Sequence, residues 1–209
     1  MITKRAQNAA HIRYKVINYV TQACQTRDFS KIFVTEICRA ANISKVTFFK
    51  YFDRKEDVLM LYNSIINTGL CIEVSQRQIT SVDGLELVIS RFGNIIKETP
   101  SIARELVAAI LHSKPPYLPI ILTEADKALF FPDVRFGEVN IISFWDLIEG
   151  FMLEGVLNKE INGMTNATEL ATLFITTLYG AIITSLIKDH YNQSLVFTSV
   201  GKNWLKSIC

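Results

Sequence analysis

The chain has 209 residues, of which 49% are hydrophobic and 20% charged, with a net charge of +2. That composition provides ample apolar surface for a core and excludes an intrinsically disordered chain. Four scattered cysteines (Cys24, Cys38, Cys71 and Cys209), with no C-x-x-C pair, argue against a disulfide framework and read as reduced thiols.

The net charge conceals an asymmetry. Residues 1–60 hold eleven Lys and Arg against five Asp and Glu, a balance of +6, while the remainder holds eleven against fifteen, −4. A basic head on an acidic body suits one end that meets a polyanion. The opening MITKRAQNAAHIRYK carries no apolar run of the secretory kind, so a cytoplasmic setting is expected.

Taken in order, Ile12, Val16, Tyr19, Val20 and Ala23 fall at helical spacing and predict a first helix over 12–24. VTEICRAA predicts a short second helix with Val34, Ile37 and Ala41 on one side. Asn42 follows, one of the few residues besides Gly that accept left-handed backbone, and Ser44 is placed to cap a third helix. After DRKED a long helix runs through VLMLYNSIINTGLCIEVSQ, followed by VDGLELVISRFGNIIKET and PSIARELVAAILHS. Thr99 can cap the last of these, with Pro100 at a tolerated first position.

Pro and Gly gather at breaks, SKPPYLP (113–119) and FFPDVRFG (130–137). A helix is expected over 138–158, with Ile141, Phe144, Trp145, Ile148, Phe151, Met152 and Val156 at i, i+3, i+4 spacing. Two more are expected over about 167–189 and 194–208. Strand-like alternation and internal repeats are missing, so the fold class is all-α.

The uncharged stretch LATLFITTLYGAIITSLI (170–187) reaches the minimum length of a membrane span, but its five Thr and Ser side chains make a mediocre one. Thr172, Thr176, Gly180 and Thr184 recur every four residues as a ridge of small side chains, which lets another helix approach closely. The expected reading is a helix buried by its own domain and by a partner, with no membrane involved.

The third helix carries more aromatic rings than one face can bury. Phe48 and Phe52, four apart, share a face and can pack on Ile37 and the first helix. Lys45, Val46, Thr47, Phe49, Lys50 and Tyr51 then form a surface that core packing does not require. Such a surface suits the DNA major groove: lysine for phosphate or guanine, threonine for hydrogen bonding, and valine and phenylalanine for the thymine methyl. The first backbone N–H groups after Ser44 are expected to receive a phosphate.

The stretch EICRAANISKVTFFKYFDRKEDVL resembles the helix-turn-helix signature of the tetracycline-repressor (TetR) family of bacterial transcription regulators. Ile37, Ala41, Ile43, Ser44, Thr47, Phe48, Tyr51, Phe52 and Lys55 match the family pattern, with Val58 a looser match. Cys38, Asn42 and Phe49 depart from its usual Ala, Gly and Tyr, and Phe33 stands where a Thr cap is common. The resemblance implies an all-helical protein with a three-helix DNA-binding domain over 1–54 and a helical ligand-binding and dimerisation domain over 55–209.

By position, Lys45, Val46 and Thr47 would meet bases. Phe49 and Tyr51 would lie along the sugar-phosphate backbone and Lys55 would reach a phosphate. Ser44, Lys50 and Thr35 would complete the DNA surface, with Lys4 and Arg5 adding contacts from the tail. An effector pocket would draw on Phe92, Ile96, Leu106, Ile110, His112, Tyr117, Phe144 and Trp145, whose character favours a small apolar or aromatic molecule.

A homodimer would pair the helices at 138–158 and 167–189 with their mates. Phe151 and Gly155 on the first, and Thr172, Thr176, Gly180 and Thr184 on the second, would form the interface. The expected function is a ligand-responsive repressor on a two-fold symmetric operator. A transcriptional activator, or a helical protein-interaction module without DNA binding, are the alternatives. The three histidines lie far apart and no nucleophile–base or metal-ligand pattern is present, so no enzyme, metal or cofactor is expected.

Overall fold

The computed structural model describes residues 2–112, 120–162, 166–187 and 193–209. They form α1 (Lys4–Ala23), α2 (Val34–Ala41), α3 (Lys45–Tyr51), α4 (Asp57–Arg77), α5 (Ser81–Glu98) and α6 (Pro100–Leu111). After these come α7 (Glu124–Phe130), α8 (Phe144–Leu157), α9 (Ala167–Ile187) and α10 (Gln193–Ile208), with short 3-10 turns at Phe29–Lys31 and Phe136–Glu138. No strand occurs among the described residues.

Two compact units divide the chain: Met1–Ile66 with Thr99–Arg135, and Asn67–Glu98 with Phe136–Cys209. The segment 1–54 lies wholly inside the first unit, which takes in α6 and α7 as well; the segment 55–209 contributes to both.

In the first unit α1 packs on α2 and α7, α2 on α3, and α6 on the 29–31 turn. Val16, Val20, Phe29, Ile37, Phe48, Phe52, Leu59 and Ile102 are among the side chains of one continuous apolar core. The α2–α3 connection follows from its residues. Asn42 takes φ 55°, ψ 51°, the left-handed backbone expected of it, and its N–H closes α2 on the Arg39 and Cys38 carbonyls. Ser44 Oγ accepts the Thr47 N–H at 3.0 Å and starts α3. Phe33 offers α2 no side-chain cap, in keeping with its lack of a polar group.

Two features of this unit were not expected. The first helix begins at Lys4 rather than near Ile12, because Thr3 Oγ1 accepts the Ala6 N–H and caps it. The helix α7 is the other: Thr123 and Asp126 form a reciprocal capping box at its start. The buried Asp126 carboxylate also takes a two-pronged contact from α1, Arg13 Nε to Oδ1 at 2.8 Å and Nη2 to Oδ2 at 2.7 Å. Arg13 thereby ties α7 to α1 through a charge that could not be buried alone.

The second unit is a helical ring in which α5 packs on α8, α8 on α9, α9 on α10 and α10 on α5. Phe151 of α8 lies against Gly84 of α5, where an added Cβ would stand 2.4 Å from the ring. Phe174 of α9 meets Trp204 of α10 with ring centroids 5.3 Å apart. The helix α8 starts at Phe144 and not at 138. Ser143 caps it at 3.1 Å from the Asp146 N–H, and the Ile142 carbonyl is turned aside to accept from Asn67 Nδ2 at 2.8 Å. Ile141 therefore stands exposed, off the helix stripe.

By length and composition, α4 and the Ala167–Thr184 part of α9 are apolar enough to cross a membrane, with 50% and 33% of those windows buried inside the protein. Buried core helices meet the same test.

Candidate nucleic-acid interface

The two faces of α3 separate cleanly. Phe48 and Phe52 are buried, with ring centroids 5.1 Å apart, in the core shared with Ile37 and α1. On the other side Val46 is 82% exposed and Phe49 47% exposed, with Lys45 and Lys50 exposed beside them. Phe49 is not loose: its ring meets Phe48 edge-on at 5.4 Å. Thr35 is exposed at the start of α2, and Lys4 and Arg5 are exposed on the first turn of α1.

Other expected contacts have different surroundings. Tyr51 is half-buried and packs against the core, so it does not stand beside Phe49 as an outer ring. Thr47 is also half-buried, its Oγ1 2.9 Å from Ser44 Oγ, which places both hydroxyls within the cap.

Lys55 corrects the sequence expectation most clearly. Its Nζ donates to the carbonyls of Phe29 at 3.0 Å, Ile32 at 3.3 Å and Ser30 at 3.4 Å, and it sits 4.5 Å above the Phe29 ring. The ammonium thus satisfies the carbonyl end of the 29–31 turn instead of being presented to a phosphate. Its position in the helix-turn-helix pattern is as expected; its direction is set by carbonyls more than twenty residues away in sequence.

The basic head is partly neutralised from within. Arg13 pairs with Asp126, Arg54 with Asp57, Lys31 with Asp28, and Arg27 with Glu36. The Arg27 guanidinium, hydrogen-bonded to Glu36, holds that carboxyl below its usual range. Among the described residues Lys45, Lys50, Arg39, Lys15, Arg5 and Lys4 enter no ion pair. These are the cations left for a polyanion, and two of them stand on α3. Burial pushes the Cys24 thiol up to about 11, so at neutral pH it is a packing group.

The pocket candidates do not gather in one unit. Leu106 and Ile110 contribute to the core of the first unit, and His112 is exposed at the end of α6 with Nδ1 2.7 Å from the Ala108 carbonyl oxygen. Phe92 and Phe144 meet in the second unit, centroids 5.5 Å apart, with Ile96 buried and Trp145 partly exposed there. Tyr117 lies outside the described residues. Among the described residues no three His, Cys, Asp or Glu side chains are grouped to hold a metal ion.

The dimer candidates divide in two. Phe151 and Gly155 are spent inside the protein, Phe151 on Gly84 and Gly155 against Ile161 and Ser81. Thr172, Thr176, Gly180 and Thr184 are all exposed along α9, with Leu173 at 52% exposure; Leu153 of the adjacent α8 is 50% exposed.

No protein-family model and no curated protein matches this sequence. Solved structures do. A TetR-family transcriptional regulator from Agrobacterium tumefaciens aligns with a TM-score of 0.60 at 14% identity, covering 96% of this chain and 99% of that one. FadR from Thermus thermophilus, a TetR-family transcriptional repressor in complex with lauroyl-CoA, aligns at 0.64 and 16% identity, covering 93% and 91%. The regulator FadR from Bacillus subtilis, in complex with stearoyl-CoA, aligns at 0.58 and 18% identity, covering 94% and 99%. The protein is thus an all-α helix-turn-helix protein. Its fold is that of the TetR-family transcriptional regulators.

Proposed function

We propose that this protein is a ligand-responsive, DNA-binding transcriptional regulator, acting in the cytoplasm as a repressor on a two-fold symmetric operator. The carrying observation is the division of α3, with Phe48 and Phe52 committed to the core while Val46, Phe49, Lys45 and Lys50 face solvent. A helix with unpaired lysines around exposed apolar groups has the chemistry of a major-groove reader. Residues 1–54 are the DNA-binding domain in this reading, and 55–209 carry effector binding and dimerisation.

One such helix reads only a few base pairs, so two copies are required, spaced about one DNA turn apart. The exposed strip on α9 (Thr172, Leu173, Thr176, Gly180, Thr184) with Leu153 of α8 is the surface that pairs with its mate. Phe151 and Gly155 are packed within the chain itself, on Gly84 and on Ile161 and Ser81. The effector is a small molecule with apolar or aromatic character, which Phe92 and Phe144 favour; fatty acyl-CoA esters, bound by two of the similar structures, are the first class to try.

The test is selection of bound fragments from genomic DNA at low and moderate salt, beside a Lys45→Ala, Lys50→Ala variant. These lysines are exposed, so the variant stays folded, which a change at Lys55 would not guarantee. Enrichment of a two-fold symmetric site is expected, with the salt dependence of log K shallower in the variant by about 0.9 for each phosphate no longer neutralised. An absence of enrichment at either salt would sink the regulator reading and leave a protein-interaction module.

A further inference from the structure

Resting on the reading of α3 as the DNA-contacting helix, we propose that Val46 is the main specificity-determining residue. It reads thymine by contact with the 5-methyl group, so each operator half-site carries a T·A pair opposite it. What α3 lacks narrows the choice first. Its seven residues, KVTFFKY, include no Arg, Asn or Gln to read guanine or adenine through paired hydrogen bonds, and no Asp or Glu to accept from cytosine.

Of the polar groups present, Lys45 and Lys50 are single-point donors that serve phosphate as readily as a base. Thr47 is half-buried, its N–H given to Ser44 Oγ at 3.0 Å and its hydroxyl 2.9 Å from the same atom. One proton of that hydroxyl pair is therefore spent within the cap. This leaves Val46, 82% exposed against 47% for Phe49, as the most open apolar side chain of α3.

An apolar group distinguishes one feature of the major-groove edge, the thymine methyl. Phe49, one turn on and fixed edge-on against Phe48, extends the same apolar patch. Folding gives no reason for the choice of valine. An exposed β-branched residue in a short helix slightly disfavours that helix, and its branched side chain contributes no core contact. Its shape has a use only when something is pressed against it. The unpaired Lys45, Lys50 and Arg39 nearby in sequence match that partner to a polyanion.

Burying one methyl group against Val46 corresponds to about fourfold in affinity per half-site, or roughly fifteenfold for a symmetric pair. The experiment selects a duplex from a random-sequence pool. The selected duplex is then resynthesised with deoxyuridine in place of thymidine at one symmetric pair of positions at a time. This change keeps base pairing and removes only the methyl. One pair of positions is expected to weaken binding about fifteenfold, and Val46→Ala is expected to bind the T and U duplexes within twofold of each other. Val46→Ile, which keeps the apolar contact, is expected to retain the discrimination.

Uridine tolerated at every position, or discrimination surviving in Val46→Ala, overturns the assignment while leaving DNA binding intact, since a duplex was selected. A wild-type protein that selects no duplex overturns both readings.

Discussion

Among the helices that carry apolar side chains into solvent, α3 and α9 do so in different company. On α3, Val46 and Phe49 stand among Lys45 and Lys50. On α9, Leu173 and Ile183 flank a ridge of Thr172, Thr176, Gly180 and Thr184, and no charged residue occurs between Leu170 and Ile187. Exposed apolar area alone does not name a partner; the groups around it do. Cations beside a small apolar patch suit a nucleic acid, whose charged backbone flanks the thymine methyl groups of the major groove. An uncharged strip with a small-residue ridge suits another helix packed closely against it.

The sharpest way to break this contrast is inside α3 itself. Phe48→Ala removes a fully buried ring and is expected to cost about 3–5 kcal/mol. Val46→Ala, on the opposite side of the same helix, is expected to stay within about 0.5 kcal/mol of wild type. Urea denaturation of both variants checks this. Similar costs would mean that Val46 is part of the core and the outer face of α3 is not free.

Next in size is the Arg13–Asp126 contact. Arg13→Ala leaves a carboxylate that is 1% exposed without its cation, and a loss of roughly 3 kcal/mol is expected. The loss should be accompanied by faster amide exchange in α7, whose capping box shares the same Asp126. Stability unchanged within error would show that α7 is held to α1 by apolar contacts alone, Tyr14 against Phe130 among them.

A matched pair of glycines tests the α9 half of the comparison. An added Cβ at Gly84 meets the Phe151 ring at 2.4 Å, whereas at Gly180, among the described residues and beyond its own helix turn, nothing lies within 4 Å of it. Gly84→Ala is therefore expected to destabilise by about 1–3 kcal/mol. In Gly180→Leu the folded protomer is expected to persist, because the new side chain has room. The wild type is expected to sediment as a dimer and this variant as a monomer. A dimer unaffected by Gly180→Leu would move the interface off this ridge.

What the sequence disclosed and what it hid divide along the range of the forces involved. Asn42, Ser44 and the Phe48–Phe52 pair act within a few residues, and each was legible: a left-handed turn, a cap, an i,i+4 core pair. The direction of Lys55 depends on carbonyls at residues 29, 30 and 32, which only the folded core brings to it. Helical spacing likewise put Phe151 on an apolar stripe and gave it to the dimer interface, but could not show that Gly84 of the same chain packs against it. The seven-residue α7 is too short for a periodic signal, and its start is marked by an Asp where the capping pattern usually has Glu or Gln. The ridge on α9 was visible because small residues every four positions are a property of one helix.

The smallest expected effect concerns the turn that aims α3. Asn42 holds φ 55° between α2 and α3, a conformation that costs most residues about 1–2 kcal/mol and glycine nothing. Asn42→Ala is expected to lose about 1 kcal/mol, and Asn42→Gly to stay within about 0.5 kcal/mol of wild type, both read from the urea midpoint. The two variants also separate stability from aim. If Asn42→Gly matches the wild type in stability and binds the selected duplex as tightly, the turn needs only its left-handed backbone. If it is equally stable but binds DNA more weakly, the rigidity of a non-glycine residue is part of how Val46 and Phe49 are presented.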